Sequence, residues 1–245
     1  MSVDPALGLV YLPTGNATPD YVGMHRSAES NRYSTSIVAL DIKTGVRRWN
    51  FQTLHHDVFD LDVPAQPVLF DWPMSNGSKV PAVAQPTKQG YIYILDRRTG
   101  EPLTKVVEQR APKGLIAGED YSPTQPAQLG FPNMIPPILR EKDMWGATAF
   151  DQLWCRIRFR QLDYRGLYTP PSLKGSLQFP GNMGFLNWGS VSIDQQRGIM
   201  ITNAEYMPIE TRLLPRAEAD RQMVETGSHV SFQPQQGTPY GISTP

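Results

Sequence analysis

The sequence predicts an all-β chain that forms part of a β-propeller, and three observations carry that expectation. Apolar runs are short, as in Ile37-Val38-Ala39-Leu40 and Tyr91-Ile92-Tyr93-Ile94-Leu95, and turn residues bound them. The 245 residues include 23 Pro and 20 Gly, which interrupt the chain too often for long helices. One hairpin pattern recurs in three copies.

The first copy, Ile37-Val38-Ala39-Leu40-Asp41-Ile42-Lys43-Thr44-Gly45-Val46-Arg47-Arg48-Trp49, is an apolar strand, a tight turn and a second strand carrying Trp. Asp can accept backbone N–H bonds across the turn and Gly supplies a positive φ, so the flanking strands pair as a hairpin. The second copy, Tyr91-Ile92-Tyr93-Ile94-Leu95-Asp96-Arg97-Arg98-Thr99-Gly100-Glu101-Pro102-Leu103, lacks the Trp. The third, Gly189-Ser190-Val191-Ser192-Ile193-Asp194-Gln195-Gln196-Arg197-Gly198-Ile199-Met200, is degraded. A unit that cannot bury its own faces must stack on its neighbours, and small sheets packed face to face around an axis do so. Hairpins in a β-sandwich are the alternative; three similar copies and the Trp favour the propeller.

Residues 109–181 lie between the second and third copies. They contain Pro136-Pro137 and Pro170-Pro171 and no clean alternation before 153–160, and they read as a loop-rich insertion in which Trp145, Phe150, Trp154 and Phe159 pack. The tail, 217–245, is polar and turn-rich and is expected to hold no closing strand. The whole chain therefore reads as one incomplete propeller domain, 1–245, with 109–181 inserted in it.

Charge excludes some functions. Lys and Arg number 23 against 23 Asp and Glu, and the short basic runs, Arg97-Arg98 and 156–160, read as solvated surface. No nucleic-acid partner is expected. No stretch approaches the roughly 20 apolar residues of a spanning helix, and the first residues, Met1-Ser2-Val3-Asp4-Pro5, do not resemble a signal peptide. Cys155 is the sole cysteine, so neither a disulfide framework nor a cysteine zinc site is available.

Four segments hold residues suited to chemistry. His55-His56-Asp57-Val58-Phe59-Asp60-Leu61-Asp62 packs two His and three Asp into eight positions. It reads as a His/Asp metal site, as a general base on a loop or strand end, or as a solvated turn around a buried His. Leu12-Pro13-Thr14-Gly15-Asn16-Ala17-Thr18-Pro19-Asp20 offers oxygens for a hard cation such as Ca²⁺ or Mg²⁺, or is only a turn. Thr87-Lys88-Gln89-Gly90 precedes a strand, where a surface lysine is the ordinary outcome. Phe185-Leu186-Asn187-Trp188-Gly189, with Asn203 after the next strand, reads by default as a core Trp beside a turn Asn.

Together these segments resemble the pyrroloquinoline quinone (PQQ)-dependent dehydrogenases, nearest the membrane-bound quinoprotein glucose dehydrogenases. The resemblance spans almost the whole chain. It rests on Val10-Tyr11-Leu12-Pro13-Thr14-Gly15-Asn16, the first hairpin copy, Phe51-Gln52-Thr53-Leu54-His55-His56-Asp57 and Asp60-Leu61-Asp62-Val63-Pro64-Ala65-Gln66-Pro67. It continues through Thr87-Lys88-Gln89-Gly90, Leu95-Asp96-Arg97-Arg98-Thr99-Gly100, Asp143-Met144-Trp145-Gly146-Ala147-Thr148, Thr169-Pro170-Pro171-Ser172 and Phe179-Pro180-Gly181-Asn182. The Ala-x-Asp-x-x-Thr-Gly-x-x-x-Trp unit is similar to that family's tryptophan-docking repeat, which staples blades together.

The resemblance implies a role for each matching residue. Asp60 would be the catalytic base that takes the substrate hydroxyl proton while hydride passes to PQQ, and Lys88 would contact the quinone oxygens. Asn16 would ligate the divalent ion, Ca²⁺ or Mg²⁺, which Asp60 would share. Asn187 and Trp188 would lie near PQQ, and Asn203 would border the pocket. His55, His56 and Asp57 would only shape the loop. The implied substrate is an aldose, D-glucose oxidised to its lactone, with ubiquinone as electron acceptor at the periplasmic face of the bacterial inner membrane. An alcohol-type quinoprotein dehydrogenase and a non-catalytic propeller scaffold are the alternatives. The family's full propeller has eight blades, so the remaining metal ligand, a stacking Trp and other PQQ contacts are expected outside this chain. The chain by itself is expected to be unstable or inactive.

Overall fold

The computed structural model describes residues 1–229 and 231–244. Strands β1 (Ser2–Asp4) and β2 (Leu9–Pro13) open the chain, and a short helix, α1 (Ala28–Tyr33), precedes β3 (Ser36–Asp41) and β4 (Arg47–Gln52). These four strands form one antiparallel sheet in the order β1-β2-β3-β4, with Tyr11 opposite Ala39 and Ala39 opposite Trp49. The β3–β4 turn closes as expected. Asp41 Oδ1 accepts from the Lys43 and Thr44 amides, each at 3.0 Å, and Gly45 takes φ +69°.

Strands β5 (Val68–Pro73), β6 (Lys79–Pro86) and β7 (Ile92–Asp96) make the second sheet, and Leu103 N donating to Ile94 O carries the chain back along its edge. Both faces of this sheet are covered. Val83, Tyr93 and Leu95 pack against Leu9, Tyr11, Ile37 and Trp49 of the first sheet. Ala82, Ala84, Ile92 and Ile94 pack the other way, against Leu186 and Val191. That is why β7 reads as a continuous apolar run without alternation.

Trp49 locks the two sheets together. Its indole N–H donates to Arg97 O at 3.2 Å, Tyr11 Oη donates to the same carbonyl at 2.9 Å, and the ring lies over Gly100. A Cβ on Gly100 would sit 2.6 Å from the Trp49 ring, and the residue's φ is +79°, so the turn requires glycine twice over. The tryptophan of one hairpin copy thus docks on the turn of the next.

Beyond β7, β8 (Val106–Arg110) pairs with β9 (Thr124–Gln128). A 3₁₀ turn, Glu141–Asp143, then leads to helix α2 (Ala149–Gln161). The alternation at 153–160 is therefore helical. Trp145, Phe150 and Trp154 do not pack as expected but are exposed, and only Phe159 finds an aromatic partner, Tyr164 at 5.7 Å. Next come β10 (Ser176–Gln178) and the third hairpin, β11 (Val191–Asp194) with β12 (Ile199–Thr202). Strand β13 (Ile209–Pro215), helix α3 (Arg216–Thr226), β14 (Phe232–Gln233) and β15 (Tyr240–Ser243) follow.

The tail corrects the expectation of no closing strand. β13 runs antiparallel to both β10 and β15, and β14 completes a four-stranded sheet in the order β10-β13-β15-β14. Leu214, Ala219 and Phe232 form a small core beneath α3. A polar tail can still pair when only a few side chains per strand face inward. Pro245 lies outside the described residues. The architecture is a row of small antiparallel sheets stacked face to face, a partial β-propeller, and among the described residues it does not close into a ring.

Candidate active site

The segment 55–62 leaves β4 as an irregular loop, not a strand, so the alternation rule does not apply to it. Apolar anchors fix its path: Leu54, Val58, Phe59 and Leu61 are buried together with Tyr168. The Asp57 carboxylate, fully enclosed, ties the loop from within. It accepts from Phe59 N at 2.8 Å, Leu61 N at 3.0 Å and Thr35 Oγ1 at 2.9 Å. Burial pushes Asp57 up to about 6, and those donors oppose the rise. With the flanking residues held, Asp60 adopts a left-handed φ of +60°, uncommon for a non-glycine residue.

Asp60 faces Lys88 and Tyr21. Its Oδ1 lies 4.0 Å from Lys88 Nζ and its Oδ2 accepts from Tyr21 Oη at 3.5 Å, so a carboxylate whose side chain is 16% exposed has no partner at close hydrogen-bonding distance. Lys88, from the β6–β7 turn, is more enclosed still, its side chain 7% exposed. Its ammonium donates to Asp62 Oδ2 at 2.9 Å and to the Asp60 carbonyl at 3.0 Å. Asp62 Oδ1 in turn accepts from Asn16 N, joining the loop after β2 to the same cluster. Gly184 packs on the Lys88 stem and Phe185 N donates to Lys88 O at 2.8 Å, which holds the turn in place.

The electrostatics follow from the count of charges. Asp20, Asp60 and Asp62 share two cations, with Lys88 opposing the rise at Asp60 and Arg26, ahead of Lys88, opposing it at Asp20. Burial raises Asp60 to about 7; Lys88 opposes the rise, while Asp62, Asp20 and Asp57 add to it. Asp20 is also raised, first by burial and then by Asp62. A carboxyl poised near neutrality is suited to exchange a proton at physiological pH.

The histidines face elsewhere. His55 Nδ1 pairs with Gln52 Oε1 at 2.7 Å and its Nε2 with Glu108 at 3.2 Å, whereas His56 Nε2 meets buried Glu119 at 2.5 Å. Among the described residues, no three His, Cys, Asp or Glu side chains converge as a metal site. Asn16 donates through Nδ2 to Asp20 O at 2.7 Å, and its Oδ1 accepts from Ala17 N at 2.7 Å, which leaves that oxygen one further lone pair. Asp60, without a close partner, and this oxygen are donors of the type a hard cation takes, six to eight of them when it is Ca²⁺.

Residues 1–245 match the PQQ family model, described as the glucose/ethanol/alcohol dehydrogenase β-propeller domain. The chain belongs to that family. This PQQ-family chain is 46% identical to the glycerol dehydrogenase large subunit of Gluconobacter oxydans, over 99% of its own length and 34% of the relative's. It is 45% identical to the quinoprotein glucose dehydrogenase of Escherichia coli (98% and 30%) and 42% identical to a quinate/shikimate dehydrogenase (quinone) of Acinetobacter baylyi (99% and 31%). The chain thus spans about a third of the length of the curated relatives it matches. A europium-containing methanol dehydrogenase superposes on 99% of the chain and 33% of its own, with TM-score 0.54 at 20% identity, and shares the fold.

For a PQQ-family chain, the remaining sequence-picked residues divide. Trp188 is 79% exposed and lines, with Gly15 and Asp62, a cavity of about 330 Å³ walled by Leu12, Pro13, Val63 and Pro64. The Oδ1 of Asn187, the preceding residue, is buried and has no partner. Asn203 lies outside that lining; it is exposed, with Oδ1 2.5 Å from where a Cβ on Gly189 would stand. Sequence reading did not assign roles to Asp62, Asp20 or Tyr21. Both acids stood inside segments already singled out, but nothing in the sequence showed that Tyr21 reaches Asp60. Among the described residues no helix is long and apolar enough to cross a membrane.

Proposed function

We propose that this chain carries the proton-accepting part of a quinoprotein dehydrogenase site, and that the whole protein oxidises an aldose, D-glucose to gluconolactone foremost. The observation that supports it best is the convergence of Asp60, Asp62 and Lys88 from two separate loops, with Asp60 raised to about 7. Bound PQQ would supply the two-electron acceptor for the substrate hydride.

Asp60 accepts the hydroxyl proton at its carboxylate, for which it must be ionised, and its raised value keeps it basic enough to do so. The Lys88 ammonium would hold fixed positive charge against the quinone and so would stabilise the reduced cofactor. Lys88 is itself aimed by Asp62 and the Asp60 carbonyl. Asn16 and Asp60 would hold part of the shell of a divalent ion, Ca²⁺ or Mg²⁺, which would supply Lewis acidity there. Asn187 and Trp188 border the cofactor, and Asn203 stands at the edge of the pocket. Asp57, with His55 and His56, holds the loop. The unit is a single propeller domain over 1–245, with 109–181 as its insertion. Electrons then pass to ubiquinone at the periplasmic face of the bacterial inner membrane.

The glycerol and glucose relatives at equal identity favour a sugar or polyol hydroxyl. An alcohol-type relative, quinoprotein alcohol dehydrogenase PedH of Pseudomonas putida, matches only 40% of the chain at 34% identity. In the full protein reconstituted with PQQ and Ca²⁺ or Mg²⁺, Asp60→Asn is expected to lower dye-linked glucose oxidation by about 10²–10⁴-fold while PQQ stays bound. Turnover at the wild-type rate would overturn the assignment of the base.

A further inference from the structure

We propose that Tyr21 is a positioning residue for the base: its phenol holds the Asp60 carboxylate in one orientation, and the sheet β10-β13-β15-β14 holds Tyr21. The inference rests on the reading of Asp60 as the base. An aspartate carboxylate turns about a terminal torsion with broad wells, so a base that must present one oxygen to a proton needs a contact that fixes its plane. Lys88 does not provide it. Its Nζ lies 4.0 Å from Asp60 Oδ1 and is already directed to Asp62 Oδ2 and the Asp60 carbonyl. Among the described residues, Tyr21 Oη is the one hydrogen-bond donor to this carboxylate, reaching Oδ2 at 3.5 Å, and Asp60 is the one partner of that hydroxyl. The bond is long, as catalytic contacts commonly are before substrate is in place.

What fixes Tyr21 lies 214 residues further along the chain. Its amide donates to Gln235 Oε1 at 2.9 Å, and both residues are buried. Its ring packs with Val22, Leu213 of β13 and Ile242 of β15. Gln235 is held in turn. It takes a left-handed φ of +46°, and its carbonyl accepts from Thr238 Oγ1 at 2.9 Å and from the Arg216 guanidinium at 3.1 Å. Its Nε2 donates to Gln233 Oε1 at 3.2 Å. A non-glycine residue in that sparsely populated region is fixed by its surroundings. The tail thus reaches the base in two links, Gln235 to Tyr21 and Tyr21 to Asp60.

The contact is interior: Tyr21 is 2% exposed, so nothing in it depends on an open surface. Packing alone would accept phenylalanine at this position, since the ring's neighbours are apolar, and the hydroxyl's one use is Asp60. The donor type matters as well. A phenol, protonated at neutral pH, can only donate to an ionised carboxylate. Being uncharged, it orients the carboxylate while lowering its proton affinity less than an ammonium at the same distance would.

The test uses the full protein and the variants Tyr21→Phe, Gln235→Leu and Asp60→Asn. The protein is loaded with PQQ and Ca²⁺ and mixed with D-glucose or glycerol, whichever is oxidised faster. Tyr21→Phe should then lower the rate of PQQ reduction about 5–30-fold. KM for that substrate and the rate of reoxidation by dye should stay within about twofold, a split that a loss of folded protein does not give. Gln235→Leu should lower the reduction rate about threefold, and adding it to Tyr21→Phe should lower it no further, because it acts through Tyr21. In the Asp60→Asn background Tyr21→Phe should be silent for the same reason. In protein free of PQQ and metal, a double-mutant cycle of Tyr21→Phe and Asp60→Asn in urea should show a coupling of about threefold or more in the unfolding constant. A wild-type reduction rate in Tyr21→Phe beside a slowed Asp60→Asn would overturn this inference alone, and so would additive effects of the two substitutions. An Asp60→Asn enzyme at the wild-type rate would instead overturn the reading of the base, and this inference with it.

Discussion

Two regions of this molecule carry the residues singled out as functional, and they are built in opposite ways. Around Asp60, three loops interlock: Lys88 is held by Asp62 and the Asp60 carbonyl, Asp62 is held by Asn16 N, and Asp57 ties the loop from beneath. Around the β11–β12 hairpin, Trp188 and Asn203 stand exposed, and Asn187 has a buried oxygen without a partner. In the first region the charged groups are part of the fold, so changing one disturbs stability and chemistry together. In the second they can serve only as a surface for something else to rest on.

The largest effect that would sharpen this contrast is expected from Lys88→Ala. It leaves Asp60 and Asp62 without their cation, and dye-linked turnover of the full holoenzyme should fall at least about 100-fold. The same change should cost about 1–3 kcal/mol in urea unfolding, a range kept low because the Asp62 side chain is 32% exposed. Adding Asp62→Asn should recover part of that stability, as a double-mutant cycle would show. A Lys88→Ala protein as stable as wild type would break the contrast.

The next largest concerns pH. Asp57 and Asp60 have folded-state values raised to about 6 and about 7, above the 3.8 of a free carboxyl. Between about pH 4 and 7 the native protein therefore holds protons that the unfolded chain has released, and stability falls as pH rises through that window. Metal-free protein should lose about 2–4 kcal/mol between pH 4.5 and 7.5, and Asp60→Asn should flatten the curve. Added Ca²⁺ should flatten it too, because a bound cation favours the ionised carboxylate.

Smaller effects are expected at the hairpin. Trp188→Ala should leave stability within about 0.5 kcal/mol while weakening PQQ affinity measured by fluorescence titration. Asn203→Ala should do least, with stability again within about 0.5 kcal/mol and PQQ affinity changed less than about threefold. If Trp188→Ala destabilised the fold as much as Lys88→Ala, the two regions would not differ in kind.

The legible parts of this fold are the local ones. Asp41, Thr44 and Gly45 specify their turn within five residues, and the same spacing at Asp96 and Gly100 places a glycine where Trp49 must dock. Pairings across long separations were not legible. Ile242 meets Leu213 in β13–β15, but β13 carries Glu210, Thr211 and Arg212 among its apolar residues and β15 is only four residues long, so neither announces a sheet. The helical spacing of Phe150, Leu153, Trp154 and Ile157 was present in the sequence. It lies in a stretch otherwise rich in Pro, Gly and Arg, and its exposure contradicts the ordinary rule that such a stripe packs inward.

By itself, the sequence determined the repeated hairpins and the residue types available for chemistry, because each depends on neighbours a few positions away. It also marked residues 55–62 as dense in potential ligands. Only the tertiary structure decided among them. It turned His55 and His56 toward Glu108 and Glu119, buried Asp57 as a tie, and left Asp60 facing Lys88 and Tyr21 without a close partner. Burial and the direction of a side chain arise from loops packing across separations of 22 to 63 residues, and no local pattern encodes them.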